Sequence, residues 1–96
     1  MVLVDTSVWI DHFRATNDTL VALLESYRVC CHAVVRGELA CVNLANREVV
    51  LAQLASLPKA VRSPDDEVLW FIERNGLMGR GIGFVDAHLL AASALT

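Results

Sequence analysis

The sequence has little positive charge. Eight Lys and Arg stand against eleven Asp and Glu, giving a net charge of −3 at pH 7, and Lys59 is the sole lysine. Nucleic-acid binders usually draw affinity from a basic surplus that neutralises phosphates. A polyanionic substrate would here need cations from a bound metal, from individual arginines or from a partner. Long hydrophobic runs are lacking too, since charges interrupt the apolar stretches every few residues. None approaches the roughly 20 residues of a membrane helix. Asp5, Asp11 and Arg14 break the N-terminal region, so no signal peptide is expected. Cysteine is scarce and odd in number. Cys30 and Cys31 are adjacent, and with Cys41 they leave no paired framework, which favours a reducing cytoplasm.

Apolar residues, by contrast, make up 55% of the chain. Ninety-six residues form a single domain, residues 1–96, near the small end of what supports its own core. An apolar share this high implies surface covered by a partner or a second copy, so an oligomer or complex is expected. There are no repeats, low-complexity tracts or linkers.

The opening stretch Met1-Val2-Leu3-Val4 reads as a short strand buried on both faces, ending abruptly at Asp5-Thr6-Ser7. In open α/β sheets, sites form beyond the carboxyl ends of the strands, and Asp5 falls there. Thr6 and Ser7 suit the opening of a helix. Val8/His12 and Trp9/Phe13 stand at helical spacing, and Asn17-Asp18 marks a turn. A second helix, capped by Asp18 or Thr19, runs to about Ser26 with Leu20, Leu23 and Leu24 buried. Val29-Cys30-Cys31 is a second strand.

The third helix, residues 33–44, starts weakly because neither His32 nor Ala33 is a preferred cap, and its apolar face is Val35, Leu39 and Val42. Glu38 lies beside that face. A fourth helix to about Ser56 is apolar enough for burial on more than one side. Pro58 ends it, and residues 59–62 form a third short strand. Ser63 caps the fifth helix, with Pro64 in its first turn and Asp65, Asp66 and Glu67 against the positive dipole end. Gly76 stops it. A loop with Gly79, Gly81 and Gly83 precedes a last helix from Phe84 to Leu95, with Asp86 in its first turn. Strands alternating with helix pairs indicate an α/β fold, a parallel sheet with right-handed crossovers covered by helices.

Asp5, Glu38 and Asp86 occupy positions that can converge on the carboxyl edge of such a sheet. Three carboxylates held together repel, and a cation relieves that repulsion. Hard oxygen ligands favour Mg²⁺ or Mn²⁺ over Zn²⁺. Such a metal lowers the pKa of a bound water and offsets charge on a phosphate in transfer.

Together, Asp5-Thr6-Ser7 after the first strand, Arg36-Gly37-Glu38-Leu39 on a helix, and Gly79-Arg80-Gly81-Ile82-Gly83-Phe84-Val85-Asp86-Ala87-His88-Leu89 resemble a PIN-domain nuclease. The VapC-type toxin of bacterial toxin–antitoxin pairs is the best match. Each motif alone is weak, the three in this order are specific, and the similarity covers the whole chain. The resemblance implies a three-layer PIN-like α/β fold and metal-dependent endoribonuclease activity. It further implies a homodimer, with inhibition by a small antitoxin. Asp5, Glu38 and Asp86 would hold Mg²⁺ or Mn²⁺, with Thr6 or Ser7 supporting the site. A metal-bound water would leave a 5′-phosphate and a 3′-hydroxyl. The family pattern continues into a further strand bearing a fourth acid, often in a Thr-x-Asp stretch, whereas this sequence ends at Thr96. C-terminal strands are therefore expected to be missing, which leaves a second metal position open.

Plainer readings stand beside these. Asp5 can serve as a helix cap, and Asp86 as a complement to the helix dipole. Glu38, next to apolar helix positions, needs a partner if buried. His32 and His88 with Cys31 and Cys41 fit no standard zinc spacing, and the cysteines are most simply small buried hydrophobes. Trp9, Trp70 and Phe71 suit the core or an interface. Arg80 is a candidate contact to RNA phosphate, or an ordinary exposed arginine. Asp11, Asp65, Asp66 and Glu67 read as solvated charges. The apolar helices at Leu20–Leu24 and Val49–Leu57 suit partner contact. The second function class is a module that binds antitoxin or dimerises without cutting; a third is a receiver-like domain whose acid pocket accepts phosphate.

Overall fold

A computed structural model describes residues 1–95; Thr96 lies outside the described residues. It contains β1 (Val2–Leu3), α1 (Thr6–Arg14), α2 (Asp18–Glu25), β2 (Val29–Cys30), α3 (Ala33–Ala40), α4 (Arg47–Ser56), α5 (Asp65–Arg74) and α6 (Phe84–Leu95). The chain divides into two compact units, one up to Ala60 and one from Val61 onward.

In the first unit β1 and β2 pair in parallel, Val2 opposite Val29 and Leu3 opposite Cys30. Parallel neighbours need a crossover, and α1 with α2 supplies it. The expected third strand over residues 59–62 is reduced to one parallel bridge between Cys31 and Lys59. Cys31 N–H donates to the Pro58 carbonyl, and Ala60 N–H donates to the Cys31 carbonyl. Pro58 has no amide of its own to extend the ladder, and the chain soon turns into α5. Val4, Trp9, Leu20, Val29, Val35, Leu39 and Leu54 are buried in this unit. Each such side chain contributes roughly 1.5–3 kcal/mol through the water it leaves.

Helix ends differ from expectation in instructive ways. α1 starts at Thr6 because the Asp5 carboxylate is the cap, Oδ1 accepting from Thr6 N–H at 2.8 Å. Asn17, one residue ahead of the expected Asp18 or Thr19, caps α2 by accepting from Leu20 N–H at 3.0 Å. The weak start expected for α3 is not found, since the His32 ring takes the cap role, Nδ1 accepting from Val34 N–H at 3.0 Å. α3 also ends at Ala40 rather than at residue 44. Arg47 explains the stop by donating from Nη2 to the Ala40 carbonyl at 2.9 Å, satisfying an orphan acceptor of the last turn. In α4 only Leu54 is buried and Val49 is exposed, so the expected burial on several sides does not occur.

Tyr27, just past α2, adopts φ +56. Tyr27 N–H donates to the Leu24 carbonyl and Arg28 N–H to the Leu23 carbonyl, the paired bonds of a Schellman stop with tyrosine where glycine is usual. A left-handed L-residue is strained by about 1–2 kcal/mol, and Tyr27, 88% exposed, has little packing to lose. Tyr27→Gly should therefore raise stability by up to about 1 kcal/mol after glycine's entropic cost, measurable by urea unfolding.

In the second unit Ser63 is buried and does not cap α5; Pro64 holds that position without a side-chain bond. Asp65, Asp66 and Glu67 occupy the first turn as expected. Gly76 at φ +60 closes the helix, its N–H donating to the Glu73 carbonyl while Leu77 N–H donates to the Ile72 carbonyl. Val68, Ala87 and Ala91 form the core here, with Phe71 and Ile72 packed against them.

Candidate active site

Asp5 follows the carboxyl end of β1, so one strand aims the residue and one helix begins on it. Its Oδ1 is engaged by the Thr6 amide, while Oδ2 accepts from Ser7 Oγ at 3.3 Å. Both oxygens are thus fixed by the first turn of α1. The carboxylate nonetheless remains exposed to solvent, with lone pairs left for a further contact.

Thr6 carries the link that sequence spacing cannot show. Its Oγ1 donates to Glu38 Oε1 at 2.6 Å, across 32 residues, joining the start of α1 to α3. Thr6 or Ser7 was expected to support the site; the Thr6 hydroxyl holds Glu38 and the Ser7 hydroxyl holds Asp5. Glu38 is exposed rather than buried, so its apolar neighbours do not by themselves demand a partner for it. The two carboxylates of this unit therefore stand on either side of one threonine, open to solvent. All the donors are hard oxygens, a set that fits Mg²⁺ or Mn²⁺ and suits no thiolate-seeking metal. Within either unit, among the described residues, no group of three or more His, Cys, Asp or Glu lies close enough together to hold a metal.

Asp86 belongs to the second unit, in the first turn of α6. Its Oδ2 accepts from Gly83 N–H at 3.4 Å, a helix-start contact of the capping-box kind. Asp86 is exposed, as is Arg80, which sits between Gly79 at φ +74 and Gly81 at φ +73. Those two glycines allow the tight loop that delivers the chain to α6.

The histidines and cysteines are otherwise employed. His32 caps α3, and His88 meets Asp65, a pairing that sequence reading missed because 23 residues and a helix separate the two. Asp65 is 69% exposed, as expected of a solvated charge, and nothing in its local pattern signals the added contact with histidine. Burial pushes the Cys31 thiol up, with Arg36 pulling the other way and Cys30 adding to the rise. It stays protonated near neutral pH and is neither ligand nor nucleophile there. Cys41 is exposed, contrary to the expectation of three buried cysteines, because it lies just beyond the shortened α3. Trp70 is exposed as well, its ring under the Arg74 guanidinium at 5.2 Å.

A parallel-stranded α/β fold with a strand-end aspartate tied through its helix to a glutamate defines a class, and comparison with known proteins gives it a name. The PIN domain family model matches residues 2–96, and the chain belongs to the PIN domain family. It is 48% identical over 95 residues to Ribonuclease VapC32 of Mycobacterium tuberculosis, in both strain CDC 1551 / Oshkosh and strain H37Rv. The aligned stretch covers 99% of this chain and 77% of each relative. No solved structure matches significantly. No helix among the described residues is long and apolar enough to cross a membrane.

Proposed function

We propose that this protein is a divalent-metal-dependent endoribonuclease, the toxin of a toxin–antitoxin pair. The observation that carries the reading is the Thr6 hydroxyl bridging from the Asp5-capped helix to Glu38, in a PIN domain 48% identical over 95 residues to a ribonuclease. A family match running from residue 2 to 96 supports treating both units as parts of one domain, with Asp86 as the third acid.

Asp5, Glu38 and Asp86 would hold Mg²⁺ or Mn²⁺, which when bound lowers the pKa of a water and offsets phosphate charge. The chain's own contribution is placement. Ser7 and the Thr6 amide keep both Asp5 oxygens from rotating, and the Thr6 hydroxyl orients Glu38. Such hydrogen bonds keep the carboxylates pre-aligned, so little reorganisation is left for the reaction. Arg80, exposed on its glycine-flanked loop, supplies a cation for RNA phosphate in a chain of net charge −3.

The antitoxin is a partner polypeptide. A cavity of about 260 Å³ with Trp9, Phe13, Leu24, Val50, Leu54 and Leu57 on its walls supports apolar docking on α1, α2 and α4. Exposed Leu69, Trp70 and Met78 support a second contact surface, as a homodimer requires. The direct test is cleavage of total RNA by the purified chain in Mg²⁺ or Mn²⁺. EDTA should abolish it and added Mn²⁺ restore it, with 5′-phosphate ends on the fragments. Cleavage that persists undiminished in EDTA would remove the metal from the proposal.

A further inference from the structure

The helix that carries Asp86 packs through small residues. α6 meets α5 through Ala87 and Ala91, packed with Val68, Phe71 and Ile72. Alanines make low ridges, so they set the distance between two helices better than they set rotation or axial position. A directional contact enters one turn into α6. His88, 2% exposed, places Nε2 at 3.1 Å from Oδ1 of Asp65, the first residue of α5. An ionised carboxylate can only accept, so Nε2 carries the proton in this bond. The Phe84 ring, one turn earlier, meets the imidazole edge-on at 4.8 Å and limits its rotation. Asp86, in the first turn, lies between Phe84 and His88 in the sequence.

We propose that His88 and Asp65 are positioning residues for Asp86. Their bond fixes the rotation of the first turn of α6, and with it the point at which the Asp86 carboxylate meets a divalent cation. A side-chain oxygen lies roughly 5–6 Å from its helix axis, so a turn of about 20° moves it by roughly 2 Å. Metal–ligand distances tolerate only about 0.2 Å. Partners that orient a ligand are commonly worth about 10- to 100-fold in metal affinity, and an indirect one should be worth less. The inference rests on the reading of Asp86 as a ligand.

The test measures Mn²⁺ binding to the full chain without RNA, by the loss of the free-ion signal in electron paramagnetic resonance. Asp65 is 69% exposed, so replacing it opens no cavity, and the loss of this acceptor for the buried His88 ring is read separately by the thermal midpoint. Asp65→Ala should weaken Mn²⁺ binding about fivefold, whereas Asp65→Asn, whose amide oxygen still accepts from Nε2, should stay within about twofold of the parent. Unaltered affinity in Asp65→Ala overturns the proposal, whatever its thermal midpoint. Equal weakening in both variants also overturns it, since the cause is then the lost charge. Asp86→Asn separates the two layers of the argument. If that change leaves Mn²⁺ binding intact, the ligand reading fails and takes the positioning role with it. If it weakens binding while Asp65→Ala does not, only the positioning role falls.

Discussion

Asp5→Asn should reduce Mg²⁺-dependent RNA cleavage by at least about 100-fold while leaving the fold intact. The choice of asparagine separates the two duties of this residue. Asp5 caps α1 through Thr6 N–H, and asparagine is as good an N-cap as aspartate, so stability should change by less than about 0.5 kcal/mol. What asparagine removes is the negative charge that a hard cation needs. Asp5→Ala should cost the same activity and about 1 kcal/mol of stability in addition. Thermal unfolding of the two variants beside a cleavage assay reads both quantities. If Asp5→Asn cuts RNA at the parent rate, Asp5 is a cap and nothing more.

Glu38→Gln should produce a loss of similar size, again about 100-fold, with an almost unchanged unfolding midpoint. Glu38 is exposed, so removing its charge uncovers no buried group. The glutamine oxygen can still accept from Thr6 Oγ1, which keeps the α1–α3 link in place. Activity surviving in Glu38→Gln but not in Asp5→Asn would shrink the site to the first turn of α1.

The fold was readable where local chemistry and the tertiary solution agree. Val2-Leu3 stopping at Asp5, the acids opening α5 and Gly76 closing it are each decided by residues within a turn of one another. Reading failed where a distant group settled the outcome. The cap of α3 is a buried histidine ring, and the end of α3 is fixed by Arg47, seven residues beyond the carbonyl it serves. Tyr27 holds a glycine's conformation because the Schellman bonds around it outweigh its strain. The strand expected at residues 59–62 shrank to a bridge, since β-propensity counts only where a partner edge is available.

The candidate site divides in the same way. Residue types and their order, with the resemblance of three motifs to the PIN family, singled out Asp5 after a strand, Glu38 beside an apolar helix face and Asp86 after a glycine loop. Sequence alone thus determined the family and nominated the acids for the proposed chemistry. Only the tertiary structure decided that Thr6 reaches Glu38 while Ser7 reaches Asp5, and that the exposed Asp65 also meets the buried His88 ring. A side-chain hydrogen bond spanning 23 or 32 residues leaves no periodic trace in a sequence. It depends on where two helices come to rest, and packing of apolar faces sets that globally.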